Sequence, residues 1–129
     1  MSNAAFKANF SKLIQKVVDK ADAVVRLTAL DLQKSMVTLS PVDTGRFRNN
    51  WQCGVGAVNT EIGSTDDPIG RTVSVLPSWK PGQTIWLSNS MPYANRLEHG
   101  WSGQAPAGMV KLTIQRYSDY LEKAVKDAS

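Results

Sequence analysis

Residues 40–51 read SPVDTGRFRNNW, and inside them Asp43-Thr44-Gly45 is the triplet that carries the catalytic carboxylate of aspartic proteases. One such triplet in 129 residues would suit an enzyme that pairs its carboxylates by dimerising. That chemistry needs two carboxylates sharing one proton, on turns that leave buried strands. Here a proline precedes the triplet and Arg46-Phe47-Arg48 follows it. Cations beside the carboxylate would hold it ionised and oppose proton sharing. A turn accounts for the same residues. Pro41 stops a preceding helix, Asp43 and Thr44 offer short side chains to backbone amides, and Gly45 supplies a positive φ. Arg46 then opens a strand, with Arg48 on its side and Phe47 on the other.

The remaining reactive side chains are few. Glu98 and His99 are adjacent, and neighbours in sequence do not face each other on a helix. A histidine near a helix C-terminus serves there as a cation against the dipole. With one cysteine (Cys53) and one histidine, the chain forms no internal disulfide and has none of the usual zinc spacings. Cys53 falls on the inner face of an expected strand and reads as core; its single thiol suits a reducing compartment or one of no consequence. There is no glycine-rich phosphate loop and no Gly-x-Ser-x-Gly. No catalytic, cofactor or metal site is therefore assigned, and the expectation is a protein that is not an enzyme.

The elements that position these residues read as α+β: a long N-terminal helix, a small antiparallel sheet with short helices, and a long C-terminal helix. Phe10, Ile14, Val17, Ala21, Val25, Thr28, Leu32, Met36 and Leu39 recur at helical spacing from Phe6 to about Leu39, unbroken by proline or glycine. Such a helix is about 50 Å long, against roughly 36 Å for the diameter of a compact domain of this size. One end should protrude and find cover on another subunit. Trp51, Cys53, Val55 and Ala57 then alternate with Gln52, Gly54 and Gly56, the pattern of a half-buried strand whose glycines permit close approach. Residues 84–88 pair with it antiparallel.

Between these strands, residues 59–70 form a loop. Asp66-Asp67-Pro68 signals a helix start, with Ile69, Val73 and Leu76 sharing a face, although Thr72 to Val75 also alternates like a strand. A short helix is expected there. Two helical turns over 93–99 stop at Gly100, and Met109 to about Asp127 forms the last helix. Trp86 has the opposite parity to Ile85 and Leu87 and should be exposed. Trp79 and Trp101 fall in loops, so these three aromatics are the candidate interface residues.

Composition adds limits. Hydrophobic residues make up 42% and charged residues 20%, an ordinary balance for a single domain, here residues 5–129, with 1–4 read as an expression-tag remnant. No apolar run is long enough to span a bilayer and no secretory signal is expected. Residues 1–48 hold eight Lys/Arg against four Asp, and the remainder balances at seven against seven. A lysine-rich solvated helix face explains this bias. Contact with nucleic acid or an acidic partner, using the basic helix, is the alternative.

Two segments together are more specific than any catalytic motif. SPVDTGRFRNNW follows the long helix, and about forty residues later LSNSMPYANRLEHGWSGQAPAGMV leads into the last one. In this combination the chain resembles the small tail-component family of lambda-like tailed bacteriophages and their prophages, over roughly residues 6–125. The matching positions are Pro41, Asp43, Thr44, Gly45, Arg46 and Trp51 in the first segment, and Pro92, Tyr93, Glu98, Gly100 and Pro106 in the second. The resemblance implies a non-enzymatic virion protein of tail completion or head–tail joining. It would form or cap a ring with itself, in some cases only on assembly, and bind other neck or tail proteins. It implies no cofactor, no membrane and no sequence-specific DNA contact. Its place would be the virion neck or tail, and the host bacterial cytoplasm before assembly.

Overall fold

The computed structural model describes residues 3–42, 45–92, 94, 98 and 108–128. Asn3–Leu39 forms one continuous helix, α1, of 37 residues, about 55 Å long at 1.5 Å per residue. It begins at Asn3, slightly before the expected start. It ends where expected, because Ser40 precedes Pro41 and is pushed out of the helical region.

The two strands, β1 (Trp51–Val55) and β2 (Ile85–Asn89), pair antiparallel, with Trp51 opposite Asn89 and Val55 opposite Ile85. Trp51 and Cys53 are buried on the inner face of β1, as the alternation predicts. The outer face is not open as expected. Gln52 is only 2% exposed, because the segment after β1 folds back over it. Gln52 Nε2 donates to Ser64 Oγ (3.1 Å) and to the Glu61 carbonyl (3.4 Å). Gly54 lies under the same fold-back; a Cβ there would stand 2.2 Å from the Ala57 carbonyl oxygen. That is the close approach its lack of a side chain allows.

The short helix α2 spans Pro68–Val75. Asp67 Oδ1 accepts from the Gly70 amide (3.0 Å), and proline at the first helical position needs no partner. Its inward face differs from the expected one: Pro68 and Thr72 are buried, while Val73 is 50% exposed. Thr72 turns inward because its hydroxyl donates to the Pro68 carbonyl and accepts from Gln33 Nε2 (3.2 Å), which also reaches the Gln52 carbonyl. These bonds satisfy the Thr72 hydroxyl and the Gln33 amide donor, while Gln33 Oε1 is buried without a partner among the described residues. A 3₁₀ turn, Leu76–Ser78, follows.

The last helix is broken in two, α3 (Met109–Gln115) and α4 (Tyr117–Asp127), at Arg116, whose backbone leaves the helical region (φ −99°, ψ 7°). Both parts run antiparallel to α1. Met109 lies at Ser40, Thr113 Oγ1 meets Ser35 Oγ (2.7 Å), and Lys123 faces Asp31 (3.8 Å). Ala124, fully buried, lets α4 approach α1 closely.

The core has two adjoining parts. Met36, Phe47, Trp51, Met91 and Met109 fill the end where α1 finishes, and Ala29, Cys53 and Leu76 fill the middle. Leu87 touches both. The expected architecture, α+β with a long first helix and a closing helical C-terminal stretch, is the one observed.

Candidate functional site

The junction around residues 40–51 is built to hold backbone. Gly45 has φ +70°, the left-handed region that favours glycine, and its amide donates to the Val42 carbonyl (3.2 Å). Residues 46–50 do not open a strand as expected. They coil into a 3₁₀ turn, Arg48–Asn50, and β1 begins at Trp51. That coil turns Arg48 back onto the end of α1, where Nη2 donates to the carbonyls of Thr38 (3.1 Å) and Ser40 (2.8 Å). A cation on carbonyls left unpaired by the helix end offsets both their desolvation and the dipole. Trp51 Nε1 donates to Ser40 Oγ (2.7 Å), which itself donates to the Met36 carbonyl (2.6 Å).

The two asparagines of the motif hold the next loop. Asn50 Nδ2 donates to the carbonyls of Arg46 (2.6 Å) and Ser64 (3.2 Å), and its Oδ1 accepts from the Ser64 amide (3.0 Å). Asn49 Nδ2 donates to the Thr65 carbonyl (2.6 Å). Arg71 of α2 closes the set through the carbonyls of Asp66, Asn49 and Trp51. Each of these polar side chains has a structural task. Asp43 and Thr44 lie outside the described residues.

The second sequence segment is described only in part. Tyr93, His99, Gly100, Trp101 and Pro106 lie outside the described residues. Pro92 occupies a turn, and Ala94 and Glu98 are helical. Glu98 has a role that sequence reading missed. Its carboxylate accepts from the amides of Val110 (2.8 Å) and Lys111 (2.9 Å), capping the start of α3. Gly108 makes room for this, since a Cβ there would lie 2.4 Å from the Glu98 carbonyl oxygen. A carboxylate ten or more residues before a helix gives no local capping signal.

The candidate interface tryptophans divide. Trp86 is 43% exposed, on the expected outer face of β2. Trp79 is buried, not exposed as its loop position suggested. Its indole N–H donates to the Gln83 carbonyl (3.0 Å), and the Arg26 guanidinium stands 5.4 Å from its ring centre. Arg26 also donates to the carbonyls of Leu76 (3.3 Å) and Trp79 (2.8 Å). Trp101 cannot be placed with them, being outside the described residues.

Burial pushes the Cys53 thiol above its ordinary value, so it stays protonated and unreactive at neutral pH. Among the described residues no group of His, Cys, Asp and Glu gathers in a metal-ligating cluster, and no helix is long and apolar enough to cross a membrane.

A long exposed stretch lies at the other end, in the first half of α1. Each residue from Lys7 to Ala21 is exposed, including Leu13 (59%), Ile14 (48%), Val17 (63%) and Val18 (40%). The family profile described as "Bacteriophage HK97-gp10, putative tail-component" matches residues 4–100, about three-quarters of the chain. The chain belongs to this phage tail-component family. The match takes in α1 from its second residue, the junction motif, both strands and α2. No curated protein and no solved structure matches the chain. The family's description as a tail component agrees with a molecule that carries a run of exposed apolar residues on the first half of α1.

Proposed function

We propose that this protein is a non-enzymatic structural component of a tailed-phage or prophage virion, acting in tail completion or head–tail joining by forming or capping a ring in the neck or tail. The observation that carries the reading is the first half of α1. It projects beyond the sheet and beyond the end of α4 with a row of apolar side chains in solvent. An isolated soluble domain gains nothing from such a row, whereas a ring subunit needs two different surfaces for head-to-tail contacts. The exposed Trp86 and the loop at 59–67 add candidate surfaces for neighbouring tail proteins, and the host cytoplasm is the compartment before assembly. The loop at 77–83 is a weaker candidate, since Arg26 and Trp79 tie it to α1. Contact with DNA would be non-specific, through the lysines of α1.

The test is to separate purified particles into heads and tails and quantify the protein in each by mass spectrometry. A small fixed number of copies per tail or neck is expected. Absence from particles that need the gene for assembly would overturn the reading. A DNA-binding accessory role is supported by four lysines against one aspartate over residues 3–20. It predicts duplex affinity that falls steeply with salt, and no binding at low salt removes it.

A further inference from the structure

We propose that the projecting face of α1 in one copy, centred on Leu13, Ile14 and Val17, docks into a groove between α1, β2 and α4 of a second copy; this rests on, and deepens, the ring reading. The groove encloses about 230 Å³ and is lined by Val24, Val25, Leu32, Ile85, Tyr117 and Leu121. Val25 is 39% exposed, Tyr117 48% and Leu121 36%, so its mouth is open and apolar.

Geometry rules out the row of the same copy as the occupant. The groove starts at Val24 on the same continuous helix that carries the row ending at Val18. A straight helix without proline or glycine cannot fold back to fill it. Each copy thus offers a row and a groove at different places, which is a head-to-tail contact that repeats until it closes.

Charge decides against two projecting rows meeting each other. Residues 3–20 carry Lys7, Lys12, Lys16 and Lys20 against Asp19 alone, while 117–127 carry Asp119, Glu122 and Asp127 against Lys123 and Lys126. Row on groove therefore brings a basic helix to a mildly acidic one; row on row sets two basic helices together. Both partners show apolar residues at spacings of three and four, the ridges that pack helix on helix. From Phe10 to Val18 the row is about 13 Å long and one helix, about 10 Å, wide, giving a footprint on the order of 130 Å². That is below the roughly 800 Å² per partner of a stable complex, so an isolated pair is weak and assembles in company.

The test pairs two complementary variants. One copy carries Leu13→Asp with Val17→Asp and keeps its groove; the other carries Val25→Lys with Tyr117→Lys and keeps its row. All four side chains are well exposed, and matching circular dichroism melts confirm the folds. The row-broken copy, isotopically labelled, is titrated by NMR with the unlabelled groove-broken copy. Shifts confined to the surroundings of Leu32, Ile85 and Leu121 are expected, and self-association of either variant alone should be at least tenfold weaker than that of the wild type. Shifts elsewhere, with the wild type still associating, would overturn this contact and leave the ring reading standing. No association of any copies at the highest concentration reached would overturn the contact, while the ring reading would still be decided by the copy number in purified particles. Should duplex DNA, and not the second copy, shift the α1 resonances in a salt-dependent way, the row is a DNA surface and the contact is wrong.

Discussion

Trp51 Nε1 donates a 2.7 Å hydrogen bond to Ser40 Oγ, tying the first residue of β1 to the residue just after α1. Both are buried, Trp51 at 4% and Ser40 at 3% exposure. Ser40→Ala would leave the indole N–H without that acceptor, at a cost of about 1–3 kcal/mol. For a domain of this length the melting temperature should fall by roughly 5–12 °C in a calorimetric scan. An unchanged melting temperature would show that the bond does not hold the junction.

Arg48 spans two carbonyls at the end of α1 with one nitrogen. Arg48→Met removes the cation and both hydrogen bonds while keeping most of the stem, so it is expected to lose about 1 kcal/mol. Urea unfolding checks this through a lower midpoint at unchanged slope. A midpoint equal to the wild type would remove the capping role.

Glu98 caps α3 through the amides of Val110 and Lys111. Glu98→Ala should cost about 1 kcal/mol locally and speed hydrogen exchange at those two amides on the order of fivefold, while core amides such as that of Cys53 change less. Equal acceleration throughout the chain would indicate global destabilisation, and none would deny the cap.

Burial raises the Cys53 thiol above its ordinary value of 9.0. In this state the folded protein retains a proton that the unfolded chain releases. The associated stability is complete below the unfolded value and is lost as pH rises through the folded one. Wild-type stability should therefore decline above about pH 9 more steeply than that of Cys53→Ala, although the variant is weaker at neutral pH through lost packing. Parallel pH profiles would contradict the burial. A thiol reagent should likewise be slow on the native protein and fast on the unfolded one.

What was legible in the sequence follows from how local each cause is. The length of α1, the Asp67-Pro68 helix start, the glycine at 45 and the antiparallel pairing of the first strand with residues 84–88 rest on spacing and turn chemistry within a few residues, and each is found, the second strand one residue later at 85–89. The inward turn of Thr72 depends on Gln33, and the burial of Trp79 depends on Arg26; both partners are on α1, far away in sequence. The cover over Gln52 depends on how the segment after β1 folds back. The break at Arg116 has no glycine or proline to announce it, since α3 and α4 are each set by their own contacts with α1. The apolar row was legible at Phe10, Ile14 and Val17, and Leu13 and Val18 widen it beyond the expected stripe. The residues 43–44 of the opening triplet lie outside the described structure, yet their described neighbours Gly45, Arg48 and Asn50 all serve the backbone.

The projecting face of α1 as an assembly surface is tested most directly by incorporation. Phage carrying Leu13→Asp with Val17→Asp would be grown, and the copies of this protein per purified particle counted against the wild type. Both sites are more than half exposed, so the variant should fold normally and remain in the lysate as free protein, with its content in particles reduced at least tenfold. Wild-type copy number in infective particles would contradict the assembly role of α1.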